Sequence, residues 1–360
     1  DNGYHLWSKT YDRAVKDIFK VQDEIAATVV EALKAKLLPS QELTGRHRTS
    51  NTEAYTQYLL GNRFRLSDTP EGVQHALEAY RRAIALDPSY AAAYSGLSEA
   101  EWRIADMITN DRAGFARAAA AAERAIALAP DSPEGYWARG QLRTYYYFDW
   151  QGAKADFQKA LALDPNHVPA LISEGSLQAT VGHMNEGIDT VRKAVALDPM
   201  SVVAWRELAR LNLHSGQFSA ARQALDRLRQ IDAQGYANRF SSELELLTGR
   251  AREALATSEG GFGDYQFVMQ AMAQHTLGHA AESQRALDSL VERRASTMAY
   301  QIADVHAWRG EKDQAFEWLE RAYRQHDGGL TYLGFDRYLA SLRADPRYGA
   351  LMEKLQLPMH

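Results

Sequence analysis

Four stretches decide the fold: AIALDPSY at 83–90, AIALAPDS at 125–132, ALALDPNH at 160–167 and AVALDPMS at 194–201. Their prolines are Pro88, Pro130, Pro165 and Pro199, so the spacings are 42, 35 and 34 residues. Upstream of each proline one spacing recurs, small–large–small in three copies and all alanine in the second: Ala76, Tyr80, Ala83; Ala118, Ala122, Ala125; Ala153, Phe157, Ala160; Gly187, Val191, Ala194. Steps of four and three place each set on one helix face. The small residues let a second helix approach closely, and a large central residue such as Tyr80, Phe157 or Val191 fills the groove between the two. Proline then stops the helix, since it lacks an N–H and restricts the residue before it. One helix pair per period, repeated along the chain, predicts a solenoid.

The first helix of each pair carries a partner pattern. In the fifth it is Trp205, Leu208 and Ala209, followed by Gly216 in the turn and Phe218 at the start of the second helix. Earlier copies show Gly61, then Tyr136 and Gly140, then Leu171, Gly175 and Gly182, and the second copy has an insertion around Ile104–Gly114. After Ala233 the prolines vanish, but turns at Gly249, Gly278 and Gly310 keep the alternation, and Ala315, Leu319 and Ala322 complete a last pair. This predicts about eight helical pairs over 53–327. Leu339, Leu342, Leu351 and Leu355 then suggest one or two closing helices over 328–360, broken at Pro346. Such a cap covers the apolar face of the last repeat. At the other end, Tyr4–Tyr11 alternates like a strand, and Ile18, Val21, Ile25, Val29 and Leu33 mark an amphipathic helix to about Leu38. Residues 39–52 are polar and read as a linker.

The 34-residue spacing with its alanine pattern and Leu-Asp-Pro ending resembles the tetratricopeptide repeat, which implies an all-α, right-handed superhelix. HLWSKTYDR at 5–13 and DIFKVQDEIAATVVEAL at 17–33 resemble the closing strand and helix of a TolB-like α/β domain. YYYFDWQGAKADFQKALALDPN at 145–166 and FDRYLASLRADPRYGALMEKL at 335–355 are similar to further parts of the same bacterial architecture. It stands behind class III adenylate cyclase domains and behind winged-helix domains of membrane-tethered transcriptional activators. The resemblance implies that residues 1–38 are the remnant of an α/β domain, and that this chain is the C-terminal, non-catalytic part of a regulatory protein. It implies a bacterial setting and leaves cytoplasm and periplasm open.

Composition narrows the chemistry. With 360 residues, 46% of them hydrophobic, the chain can bury a large core, and its net charge of −5 argues against a dedicated nucleic-acid binder. The absence of cysteine excludes disulfides, thiolate metal sites and a cysteine nucleophile. No stretch approaches the roughly 20 apolar residues of a membrane span. Asp12, Arg13, Lys16 and Asp17 interrupt any apolar core over 1–20, so those residues do not read as a signal peptide. Phosphate-binding glycine loops and nucleophile elbows are missing, so neither a cofactor nor a catalytic residue is expected. His275, His279 and Glu282 have a metal-like spacing, but Gly278 between the two histidines breaks helical register, and no metal is expected.

Recognition of a protein or peptide is the better reading. In tetratricopeptide repeats the first helices line a concave groove. The inward positions here include Asn62, Trp137, Gln141, Arg206, Arg210 and Tyr300, with Trp102 one turn beyond. Arg206 and Arg210, four apart, could fork onto a carboxylate, and the tryptophans could act as apolar anchors. The competing reading is that the aromatics pack between repeats and the arginines pair with neighbouring acids. The carboxylate clamp of chaperone-tail binders is absent, because only Asn62 fits while Tyr58, Glu99, Trp137 and Gln141 occupy the other positions. Two non-enzymatic functions follow: a regulatory interaction module relaying to an upstream output domain, or a free-standing scaffold bridging subunits; an enzyme with an unrecognised site in the groove is the third reading, and no motif supports it. The aromatic run Tyr145–Trp150 is either an exposed partner patch or packing over the joint of the third and fourth pairs.

Overall fold

The computed structural model describes residues 49–65, 69–109, 111–231, 235–259 and 263–358. The strand and helix expected over 1–38 and most of the linker lie outside them. The described residues form seventeen α-helices and no strand. Sixteen make eight antiparallel pairs. They are α1 (Thr52–Arg65) with α2 (Pro70–Leu86), α3 (Ala91–Ile104) with α4 (Arg112–Leu128), α5 (Pro133–Leu142) with α6 (Trp150–Leu163), and α7 (Val168–Thr180) with α8 (Met184–Leu197). Then come α9 (Val202–Ser215) with α10 (Phe218–Ile231), α11 (Tyr236–Leu247) with α12 (Ala251–Glu259), α13 (Tyr265–Thr276) with α14 (Ala280–Arg294), and α15 (Ala299–Trp308) with α16 (Lys312–Gln325).

The repeated stripe sits where its spacing demands. Ala76, Tyr80 and Ala83 are buried, as are Ala153, Phe157 and Ala160 on α6. Tyr80 shows why the partners are small. Its ring lies between Gly61 and Gly96, and a Cβ on either would fall well inside van der Waals contact with it. The Leu-Asp-Pro ending is a turn device. Each helix stops at the leucine, and the Asp87, Asp164 and Asp198 carboxylates accept the N–H two residues on, at 2.9, 3.0 and 3.1 Å. This Asx turn leaves proline where no N–H is needed.

Two departures bear on function. The insertion after α3 continues the helix as a wider π turn, Ala105–Thr109, and a second π turn, Arg143–Tyr147, extends α5. Tyr145 of that second turn stacks on Trp102 at 5.4 Å and Tyr146 on Phe115 at 3.7 Å. Tyr145 and Tyr146 are therefore packing, but over the joint of the second and third pairs rather than the third and fourth, whereas Tyr147 is exposed and Trp150 is buried against the chain's ending.

The other departure is the ending. Residues after Gln325 form two 3-10 turns, Gly328–Tyr332 and Ala340–Leu342, and one helix, α17 (Pro346–Lys354). Pro346 opens that helix instead of breaking one, because the first helical position needs no N–H partner. Nor does the segment only cover the last pair. Leu330, Leu333, Leu339, Leu342 and Leu351 share one buried cluster with Trp137, Trp150 and Phe157 of the third pair.

Candidate functional site

The first helices face a common interior, and the ending runs through it. Working along the segment, Arg210 on α9 lies over the Tyr332 ring at 4.2 Å. Arg337 donates from Nε to the His214 carbonyl at 3.0 Å. The Tyr300 hydroxyl of α15 donates to Asp336 at 3.1 Å, and Ser341 Oγ donates to the Ala307 carbonyl at 3.0 Å. The Tyr338 ring meets Trp308 edge-on at 5.7 Å. Side chains from separate first helices touch one short segment only if it lies in the groove they enclose. The concave groove, expected to be open to a partner, is filled by the chain's own residues 328–345.

The superhelix also meets itself. Trp150 Nε1 donates to the Leu355 carbonyl at 2.6 Å, and His326 stacks on Tyr146 at 4.7 Å. Arg294 at the end of α14 reaches the Met107 carbonyl in the first π turn at 3.3 Å. The two π turns thus lie on the seam where the last pairs return to the second and third.

Around the filled groove lies a buried charged network. Glu207 and Arg210, three residues apart on α9, pair closely, and Ser176 also donates to Glu207. Burial opposes the charge on both, yet each holds the other ionised: Glu207 sits below the usual carboxylate range and Arg210 is held protonated. His214 is pushed down to about 3 by burial and the arginines around it, including Arg210 and Arg337, so it is neutral. Its Nδ1 accepts the Arg337 backbone N–H at 3.4 Å. On the segment, burial raises Asp336 to about 7 and Asp327 to about 6. Both carboxyls still accept backbone N–H groups: Asp336 from Tyr338 at 2.9 Å, and Asp327 from Tyr300 and Gly329 at 2.9 Å each.

The residues singled out from the sequence are mostly engaged internally. Asn62 accepts from the Tyr80 hydroxyl at 2.8 Å. Trp102 stacks on Tyr145, and its Nε1 is buried without a partner. Trp137 Nε1 and Gln141 Nε2 converge on Ser173 Oγ, at 3.0 and 2.9 Å. Tyr300 and Arg210 are buried and hold the C-terminal segment, whereas Arg206 is half-buried. Arg206 and Arg210 do not form a fork, because Arg210 is committed to Glu207 and the Tyr332 ring. Away from the groove, His275 and His279 flank Gly278, whose φ is +83°, and His279 Nδ1 meets Gln274 Oε1 at 2.7 Å. Among the described residues no group of three or more histidines and carboxylates could hold a metal.

An open cleft lies beside the filled groove, between α6, α7 and α17, with a volume of about 1260 Å³. Trp150, Leu177 and Leu357 supply apolar wall, and Glu174, Glu186 and Glu353 supply negative charge. Sequence reasoning missed this cleft, because its two sides are about 175 residues apart in the chain.

Residues 172–236 and 268–329 match the family model of the tetratricopeptide repeat. Over 97 residues the chain is 36% identical to the protein named adenylate cyclase 3 of Rhizobium meliloti (strain 1021), an activity attached to it by name only. That match covers 27% of this chain and 16% of the relative, so the chain spans about a sixth of the length of the curated relative it matches. Among solved structures, yeast Tom70 is similar over 94% of this chain and 74% of its own, with 18% identity and a TM-score of 0.50. A thermophilic tetratricopeptide-repeat protein of Thermus thermophilus is similar over 53% of this chain and 98% of its own, at 16% identity and a TM-score of 0.44. The fold is a tetratricopeptide-repeat superhelix. No helix among the described residues is long and apolar enough to cross a membrane.

Proposed function

We propose that this chain is a non-catalytic protein-interaction module of a bacterial signalling protein, and that its concave groove binds a peptide segment. In this structure the groove holds the chain's own residues 328–345. A partner segment competes for it, and the exchange is relayed to an output domain preceding the repeats. The observation that carries this reading is the occupant itself: an irregular, non-repeat segment held by Arg210, His214, Tyr300 and Trp308 from two different first helices, α9 and α15. A surface that holds one such segment by aromatic and arginine contacts has the chemistry of an interaction hot spot. The identity to a protein named as an adenylate cyclase supports a signalling setting. The TolB-like reading of residues 1–38 belongs to the same proposal.

The test loosens the resident segment and offers it back. A full-length chain carrying Tyr332→Ala and Leu333→Ala should bind a synthetic peptide of residues 328–345 saturably, and the unaltered chain should bind it at least tenfold more weakly. The peptide carrying the same two substitutions should not bind. A variant that keeps its helical circular dichroism yet ignores the peptide contradicts the proposal.

A further inference from the structure

The open cleft contains a group that the fold itself leaves unused. Glu174 on α7 is only 6% exposed, and one of its carboxylate oxygens, Oε2, is buried without a hydrogen-bond partner. Its other oxygen accepts from Gln178 Nε2 at a long 3.4 Å. A buried acceptor left unpaired costs free energy, and a charged one costs more. Packing does not require it, since a glutamine here would carry no charge to desolvate. Burial accordingly holds the Glu174 carboxyl above its usual range, against the opposing pull of Lys154.

The rest of the lining has the same sign. Glu186 and Glu353 stand exposed at the rim. Against these three acids the cleft sets Lys154, which is exposed, and His183, whose Nδ1 lies 3.5 Å from Glu186. The balance is negative, and the most buried of the acids is the one most in need of a partner. Apolar wall from Trp150 and Leu177 lines the same cleft, suited to the methylene stem of a long basic side chain.

We propose that this cleft binds an extended peptide segment of a partner protein through a lysine or arginine side chain whose cationic head reaches Glu174. Two observations favour a peptide over a small free amine. At about 1260 Å³ the cleft exceeds the roughly 300–1,000 Å³ of small-molecule pockets. Four glutamines, at positions 151, 158, 178 and 356, also line it, and their amides can both donate to and accept from a peptide backbone. The cleft is distinct from the filled groove, but α17 forms one wall, so a peptide bound there bridges the third and fourth pairs to the chain's ending.

The proposal is tested on the full chain with amidated, acetylated pentapeptides carrying a central lysine or arginine between varied apolar residues. Each is paired with a counterpart having norleucine at the centre, and binding is read by calorimetry. At least one basic peptide should bind tenfold or more tightly than its norleucine counterpart. Glu174→Gln, which preserves shape, should abolish that difference while leaving the thermal midpoint unchanged or raised. Lys154→Gln should leave the preference intact or strengthen it. Equal binding of every basic peptide and its counterpart, no binding at all, or a basic preference that survives Glu174→Gln would overturn the proposal. So would n-butylamine binding as tightly as the best peptide, which would reassign the cleft to free amines. Binding by a Tyr332→Ala, Leu333→Ala chain in trans is a separate readout, so failure here leaves the groove reading standing and the converse also holds.

Discussion

Arg210→Ala should be far more damaging than its position on a tetratricopeptide groove suggests, and the size of the effect reports on the occupant. The side chain is 8% exposed and Glu207 is 13% exposed, so neither charge is dispersed in water. Removing the guanidinium leaves Glu207 buried with Ser176 as its remaining hydrogen-bond donor, a situation that costs about 3–5 kcal/mol. Arg210→Met combined with Glu207→Leu removes both charges and should recover most of that loss, because an apolar pair of similar volume often replaces a buried ion pair without penalty. The telling quantity is the coupling of Arg210 to Tyr332. The two are 122 residues apart, and the guanidinium lies 4.2 Å from the ring centre. A double-mutant cycle with Tyr332→Ala, read by urea denaturation of the full chain, should give an interaction energy of about 1–2 kcal/mol, the worth of a desolvated cation–π contact. If the two substitutions add to within about 0.5 kcal/mol, or if Arg210→Ala alone costs under about 1 kcal/mol, the groove is hydrated and the reasoning is refuted.

Gly96→Ala drives a Cβ into the Tyr80 ring and should cost about 1–3 kcal/mol by overpacking, measured as a lowered denaturation midpoint. Trp137 is buried and donates to Ser173, so Trp137→Ala should cost about 3–5 kcal/mol, whereas the half-buried Trp205 should cost clearly less on the same assay. Asp336 and Asp327 are both raised above the ordinary carboxylate value, so between about pH 4 and pH 7 these two carboxyls hold more protons in the folded chain than in the unfolded one. Their contribution is therefore greatest at low pH and is lost as pH rises through about 6 to 7. Denaturation at pH 5 and pH 8 should show Asp336→Asn reducing the pH dependence by about 2–3 kcal/mol, and an unchanged dependence would contradict this.

The helical pairs were readable because their information is periodic. Tyr80 and Phe157 sit four and three residues from alanines on one face, and the same chemistry recurs at a near-constant offset. The ending carries no such period. Over 328–345 the chain makes 3-10 turns, and its anchoring leucines follow the shape of a cavity built by distant helices. Arg210 illustrates the consequence for the site. Its i,i+4 relation to Arg206 suggested a fork, while its i,i+3 relation to Glu207 was equally visible and proved to be the one used. Nothing local distinguishes the two, since burial by Tyr332 decides between them. Trp102 and Trp137 read in the sequence as anchors for a partner, while in the structure they hold the third pair to its neighbours. Glu174 carries no signal in the sequence, because a lone acid on a repeat helix reads as solvated surface until its neighbours across the cleft are known.

The chain's ending folds back through the superhelix onto the third pair, and a distance between the two tests this directly. Because the chain contains no cysteine, nitroxide labels at Lys154→Cys and Glu353→Cys, both exposed and on opposite walls of the cleft, can be placed without background. Pulsed dipolar spectroscopy should return one narrow, short distance between positions 199 residues apart in sequence. A broad distribution centred at long distance would mean that α17 lies free of the third pair, contradicting this placement of the ending.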